Sequence, residues 1–215
     1  MNVERSIVIV PAYRSIEHET DAELRLIEKL GIRVERFFGN SAIDQARSLA
    51  ASWMLTRPQG YEDIYWIDSD IHFELSDFHA LVEGPMFGCL PYQTKMPHGG
   101  IAVLPLEGED VDSSTRGMKE LRACGFGFVK THRSIFEAMS SKVGVCQNSP
   151  GARPLWPFFQ PSVWKLPDMS GRSCYYGEDY SFCLRARELG FKLFGNFDRN
   201  LGHIGRYAYR IGESF

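Results

Sequence analysis

Short apolar runs alternate with segments of helical periodicity along the first third of the chain. β-Branched and aromatic residues form three compact runs at 6–10, 32–38 and 64–67, and these runs predict buried strands. The segments between them, 20–31 and 41–54, carry apolar residues at helical spacing, which predicts two amphipathic helices. The order strand, helix, strand, helix, strand is typical of a right-handed parallel α/β sheet.

The rest of the chain is less regular, but helical and extended patterns still alternate. Helices are predicted at 77–84, 134–143 and 178–189, and strands at 86–92, 99–106, 121–132 and 191–197. The acidic segment 107–117 is expected to form a flexible loop or lid, and the Pro-rich aromatic segment 150–167 to be extended. The sequence contains no repeat, low-complexity segment or linker, which favours one domain over residues 1–215.

Composition narrows the class of protein. With 44% hydrophobic residues among 215, the chain has enough apolar material for one sizeable core. No stretch reaches the roughly 18 unbroken apolar residues of a membrane helix, and Met1–Arg5 lacks a signal-peptide pattern, so a soluble cytoplasmic protein is expected. The net charge of −3 argues against a broadly basic nucleic-acid surface. The five cysteines form no CxxC pair, which favours reduced thiols over a zinc site.

Two aspartates follow the third predicted strand directly, in the stretch "YWIDSDIHFE". Asp68 and Asp70 lie two positions apart, so both side chains can point into one crevice. Carboxylates are ligands that Mg²⁺ and Mn²⁺ favour, usually with substrate phosphates and water. The alternative is a polar turn at a strand end. "PAYR" and "GNS" follow the first and second strands, and ligands of such sheets bind beyond the carboxyl ends of strands, which favours the metal site.

Other side chains carry weaker signals. His203 lies between glycines after the last predicted strand, where it is either an ordinary packed histidine or a third metal ligand. Glu178 and Asp179 begin a predicted helix, where acidic residues either complement the helix dipole or supply a general base. Arg47 is either a surface arginine or a partner of phosphate or of an aspartate. The glycines of "CGFGFV" (124–129) indicate the close approach of another backbone or a ligand.

Taken in order, five segments resemble GT-A-fold glycosyltransferases, and the resemblance extends from about residue 6 to 205. They are "IVIVPAYR", "NSAIDQARSLAASWML", "IYWIDSDIHF", "ACGFGFVKTHRSIFEAM" and "YYGEDYSFCLRARELGFKLFGNFDRNLGHIG". The resemblance implies a Rossmann-like α/β fold with a mixed, mainly parallel sheet flanked by helices and a smaller acceptor-side sheet. It also implies that residues 1–92 bind the nucleotide sugar and that residues 93–215 bind the acceptor and carry out catalysis.

The resemblance also implies roles for individual residues. Asp179 would be the general base if the anomeric centre inverts, although Glu178 stays a candidate, and Gly125–Phe128 would border the sugar or acceptor. The cofactor would be Mn²⁺ or Mg²⁺, and the donor a nucleotide-diphosphate sugar, with UDP-sugar preferred. The metal ligands would be Asp68, Asp70 and His203. The donor site would comprise Pro11, Ala12, Tyr13, Arg14, Asn40, Arg47, Asp68 and Ser69.

The expected function is metal-dependent transfer of a hexosyl or pentosyl group to an acceptor hydroxyl. In its compactness the chain resembles glycosyltransferases from bacteria and their phages, some of which modify hydroxymethylated pyrimidines in DNA. A saccharide, lipid-linked sugar or protein acceptor is the alternative. The tail "RYAYR" (206–210) mixes basic and aromatic residues of the kind that bind nucleic acid. With 107–117, the longer tail "RYAYRIGESF" (206–215) is also expected to close over the donor. The stereochemistry and the oligomeric state stay open.

Two other functions are weighed against this one. A sugar-phosphate nucleotidyltransferase would carry a glycine-rich basic loop after the first strand, where this chain has "PAYRSIEHE". A non-catalytic nucleotide-sugar-binding module would bind UDP without metal-dependent turnover, and it would leave the carboxylates and His203 without a role.

Overall fold

The computed structural model describes residues 2–58, 60–96, 99–147, 149–165, 172–205 and 208–212. The helices are α1 (His18–Lys29), α2 (Ile43–Leu55), α3 (Leu75–Glu83), α4 (Arg133–Val143) and α5 (Glu178–Glu188). The central strands are β1 (Ser6–Ala12), β2 (Arg33–Phe38), β3 (Asp63–Ile67), β5 (Gly88–Cys89), β6 (Val103–Pro105), β7 (Met118–Cys124), β8 (Phe128–His132) and β11 (Leu193–Asn196). The shorter strands are β4 (Ile71–His72), β9 (Ser162–Lys165), β10 (Ser173–Tyr176), β12 (Gly202–Ile204) and β13 (Ala208–Tyr209).

One eight-stranded sheet organises the described residues, in the order β2-β1-β3-β8-β5-β11-β7-β6. Strands β7 and β8 run against the other strands of the sheet, because each pairs antiparallel with its neighbours. The sheet is therefore mixed: six of its eight strands run in one direction, but four of its seven pairings are antiparallel, so it is less parallel than the resemblance implies. It takes strands from both predicted halves of the chain.

Helices cover both faces of this sheet, which explains why its central strands are apolar on both sides. Ile7 and Trp66 pack on one face with residues of α2, α4 and α5, whereas Val8 and Tyr65 pack on the other with residues of α1 and α3. All four side chains are fully buried. The predicted fold class is confirmed, and the architecture is consistent with the GT-A-like fold that the resemblance implies.

The prediction of a single strand at 121–132 is wrong. The segment forms β7 and β8, which lie apart in the sheet and are separated by Gly125–Gly127. A Cβ on Gly127 would lie 2.8 Å from the Tyr92 ring, so the chain breaks where another side chain presses against its backbone. Segment 107–117 is a loop, in which the Asp112 carboxylate accepts backbone N–H groups from Ser114 and Thr115.

Two small sheets complete the fold. Strands β9 and β10 pair immediately before α5, and β4, β12 and β13 form a three-stranded sheet. In the latter, His203 on β12 pairs with Ile71 on β4, so a residue near the end of the chain lies beside the aspartates of the D-x-D motif. Within the described ranges, no helix is both long and apolar enough to cross a membrane.

Candidate active site

The ends of three adjacent parallel strands meet at one cavity of about 250 Å³. Strand β1 ends at Ala12, β2 at Phe38 and β3 at Ile67, and the polar residues that follow each strand turn towards the same crevice. The lining residues are Pro11, Ala12, Tyr13, Asn40, Ser41, Ile43, Asp68, Ser69 and Asp70. Six of the eight residues that the resemblance assigns to the donor site therefore line this cavity.

Local hydrogen bonds hold the cavity wall in shape. The Gly39 N–H donates to the Tyr13 carbonyl over 3.1 Å, which ties the end of β2 to the end of β1. The Asn40 side chain accepts the Ala42 N–H at 3.0 Å, just before α2 begins. The Tyr13 ring is 51% exposed at the cavity, and the Arg14 guanidinium lies 5.0 Å from its centre. Arg14 thus supports the ring from outside the cavity lining.

Arg47 is one of the most buried charged residues, although its sequence position on α2 is compatible with a surface arginine. Its Nη2 donates to both oxygens of Asp68, at 2.7 and 2.8 Å, and its Nη1 donates to Glu178 at 2.5 Å. Burial opposes its charge, but attraction by Asp68, Glu178 and Asp179 outweighs this effect and raises the Arg47 pKa. Arg47 therefore joins the end of β3 to the start of α5.

Asp68 and Asp70 lie in different surroundings although one residue separates them. Burial raises the pKa of the Asp68 carboxyl, while Arg47 acts in the opposite direction. Asp70 instead has Lys95 on Oδ2 and faces the Nε2 of His203, 3.6 Å from Oδ1. Burial would raise the Asp70 pKa, but the neighbouring His203 and Lys95 lower it overall.

The His203 ring is oriented by a carbonyl. Its Nδ1 lies 3.0 Å from the Gln93 oxygen, and a carbonyl oxygen is an acceptor, so Nδ1 carries the proton. Nε2 faces Asp70, and in the neutral ring it carries the lone pair that a cation would bind. This arrangement, an imidazole fixed by a hydrogen bond at its other nitrogen, is usual for histidine ligands of metals.

Asp70 and His203 fit a divalent cation as a pair. One carboxylate oxygen and one imidazole nitrogen suit Mn²⁺, which takes its remaining ligands from substrate phosphates and water. Asp68 is held by Arg47, and among the described residues no group of three His, Cys, Asp or Glu side chains is arranged to hold a metal. The structure thus brings together two of the three ligands that the resemblance implies.

Glu178 and Asp179 begin α5, as predicted, but their environments differ. Glu178 is paired with Arg47, whereas Asp179 accepts the Tyr180 N–H at 2.7 Å. Burial, followed by repulsion from Glu178, raises the Asp179 pKa to about 6. Neither side chain caps the helix, because the N-cap position is Gly177. Asp179 is consequently a carboxyl whose protonation changes near neutral pH.

Sequence reasoning missed Tyr92, Gln93 and Lys95. Tyr92 ends the predicted strand 86–92, and Gln93 and Lys95 follow it, so the rule that polar residues after a strand reach the crevice would have found those two. Tyr92 carries no such signal, because its burial depends on distant glycines.

The two glycines of "CGFGFV" make room for the buried Tyr92. The Gly127 N–H donates to the Tyr92 hydroxyl over 3.1 Å, and a Cβ on Gly125 would overlap that hydroxyl. The Gly127 carbonyl in turn accepts the Asp68 N–H at 2.9 Å, and the Tyr92 ring packs edge-on against His203 at 4.9 Å. Tyr92 therefore contacts the His203 ring directly and is linked to Asp68 through Gly127.

Comparisons with known proteins show a likeness in structure and none in sequence. No family model and no curated protein matches the chain. The crystal structure of A197 from STIV covers 97% of this chain and 95% of its own, with 15% identity and a TM-score of 0.59, which shows a shared fold. GalNAc-T7, solved with UDP, GalNAc and Mn²⁺, covers 98% of this chain at 14% identity and a TM-score of 0.47. That TM-score is too low for inference, and this chain spans 45% of the GalNAc-T7 chain.

Proposed function

We propose that the chain is a glycosyltransferase that moves a sugar from a nucleotide-diphosphate sugar, with UDP-sugar preferred, to an acceptor hydroxyl. The observation that carries the proposal is the cavity at three parallel strand ends, with the Asp70–His203 pair at its edge. A cavity with an exposed aromatic ring near one part and carboxylates near another suits a nucleotide base followed by a metal-bound diphosphate.

Within this proposal, the nucleoside lies along Pro11–Tyr13 and Asn40, and the diphosphate lies near Asp68–Asp70. Asp70 and His203 would hold Mn²⁺ or Mg²⁺. When bound, the cation would neutralise negative charge on the departing diphosphate. Arg47 would keep Asp68 oriented towards the donor side of the crevice through its paired hydrogen bonds.

Asp179 is the better candidate for the general base. Glu178 is committed to Arg47, whereas the Asp179 pKa of about 6 lets the carboxylate accept a proton near neutral pH. In an inverting reaction, the acceptor oxygen bonds to the anomeric carbon as the bond to the diphosphate breaks. The hydroxyl proton passes to Asp179, and the nucleoside diphosphate leaves.

The acceptor is proposed only as a hydroxyl compound, because tail side chains of the kind that bind DNA have partners within the fold. Tyr209 is buried, and Arg210 donates to Asn200 and contacts His72, so these side chains are occupied within the fold. Arg206 and Tyr207 lie outside the described residues.

A screen of nucleotide-sugar donors tests the proposed function. Slow donor hydrolysis is expected with Mn²⁺ or Mg²⁺, and its loss is expected with EDTA. Asp70→Ala should abolish this hydrolysis, while Glu188→Ala, at the far exposed end of α5, should keep it. Full Mn²⁺-dependent hydrolysis by Asp70→Ala would contradict the metal assignment.

The same assay separates the two rivals. Release of pyrophosphate from a nucleoside triphosphate and a sugar phosphate would favour the nucleotidyltransferase. UDP binding with no metal-dependent turnover of any donor would favour the non-catalytic module.

A further inference from the structure

Lys95 contacts Asp70, yet the proposed chemistry gives it no role. Its ammonium donates to Asp70 Oδ2, while His203 faces the other oxygen. The lysine follows β5 in sequence, and β5 lies on the other side of β3 from β1 and β2 in the sheet. Its stem passes close to the end of β12, because a Cβ on Gly205 would lie 3.2 Å from Lys95 Cδ.

The Lys95–Asp70 pair is suited to exchange rather than to permanent structure. The two side chains are 34% and 30% exposed, and ion pairs at such positions contribute little to stability. A lysine ammonium is a compact charge on a flexible stem, so it can move between anionic partners. The Arg47 side chain is only 3% exposed, so its ion pairs are far less open to exchange than the Lys95–Asp70 pair.

A divalent cation between Asp70 and His203 would weaken the Lys95–Asp70 ion pair. The cation would attract the same carboxylate that now holds Lys95 and would repel the ammonium. A diphosphate bound at the cation would bring new negative charge to the same place. Because an ammonium binds phosphate well as a point charge, the displaced lysine would find a stronger partner there.

We propose that Lys95 is a ligand of the donor's diphosphate and is held on Asp70 until a divalent cation binds that carboxylate. This inference rests on the proposed function. It assigns to Lys95 two measurable and opposite effects, since the lysine competes with the cation for Asp70 but assists the nucleotide once the cation is bound.

Calorimetric titrations of Lys95→Met test both effects, with Mn²⁺ alone, with UDP at saturating Mn²⁺ and with uridine at saturating Mn²⁺. Removing the competing charge should tighten Mn²⁺ binding about two- to fivefold. Losing a charge-assisted phosphate contact should weaken UDP binding about tenfold. Uridine binding should not change, because uridine has no phosphate.

Two further variants complete the design. Lys95→Arg should retain most of the UDP affinity, and Lys119→Met, which removes an exposed charge on β7, should match wild type in all three titrations. Unchanged or weaker Mn²⁺ binding by Lys95→Met, or unchanged UDP binding, would overturn the inference while leaving the proposed function intact. Failure of wild type to bind UDP or Mn²⁺ would overturn both.

Discussion

The two aspartates of the D-x-D motif belong to two different regions of the site. In the Asp68 region one buried arginine, 3% exposed, holds the carboxylate that follows β3 and another that begins α5. The Asp70 region is partly open, and its carboxylate faces a lysine on one side and a histidine on the other. One region therefore fixes the geometry of the crevice, whereas the other has contacts that a ligand can replace.

Arg47→Met tests the structural side of this comparison and should have the largest effect. Arg47 is buried while its carboxylate partners are 22% and 16% exposed, so its removal should cost about 3 kcal/mol, at the low end for a buried ion pair. Chemical denaturation would measure the loss in the free energy of unfolding. Arg25→Met, at an exposed pair with Asp21, should change it by about 0.5 kcal/mol or less. Similar losses for both variants would mean that the Arg47 cluster is not a structural centre.

Asp179→Asn should separate activity from stability. Removing a general base should lower the rate of sugar transfer from the donor about a hundredfold. The free energy of unfolding should instead increase above pH 6. The folded-state pKa of about 6 lies above the usual aspartate value, so the charged carboxylate is disfavoured in the folded protein, and asparagine removes that charge. The variant should thus be more stable than wild type at pH 8 and nearly equal at pH 4.

The wild-type pH profile gives an independent view of the same carboxylate. Because a base acts in its deprotonated form, kcat/KM should rise as the pH increases through about 6 and then level off. A profile that stays flat between pH 5 and 8 in wild type would remove Asp179 from this role.

Tyr92→Phe should change the free energy of unfolding least, because it removes a single hydroxyl group. Tyr92 lies between the two regions, so this variant also tests whether they are linked. The variant keeps the ring that packs against His203 but loses the hydroxyl that accepts the Gly127 N–H. Leaving that donor without its partner should cost about 1 kcal/mol. Thermal unfolding and Mn²⁺ titration would show whether the loss reaches the cation site. Unchanged stability would show that the hydroxyl is not needed to hold Gly127.

The donor side of the crevice was predictable from sequence because its signals are local. Three apolar runs end in polar residues, and parallel strands place those ends at one edge of the sheet. His203 was a weak candidate in isolation, and its place beside Asp70 depends on pairing between β12 and β4.

The remaining contacts depend on partners distant in sequence. Arg47 is buried because α5 brings Glu178 to it across 131 positions. The break between β7 and β8 depends on Tyr92, which lies 35 positions before Gly127. Neither contact leaves a pattern of hydrophobic and polar residues within a short stretch of sequence, so sequence patterns alone do not predict it.

Titration of wild type with UDP, in Mn²⁺ and again in EDTA, tests the central claim most directly. We expect UDP to bind at least about tenfold more tightly with Mn²⁺, and His203→Gln to remove most of that gain, because His203 supplies one of the two proposed metal ligands. Equal UDP affinity in Mn²⁺ and EDTA, or a full gain in His203→Gln, would contradict a donor site built on Asp70 and His203.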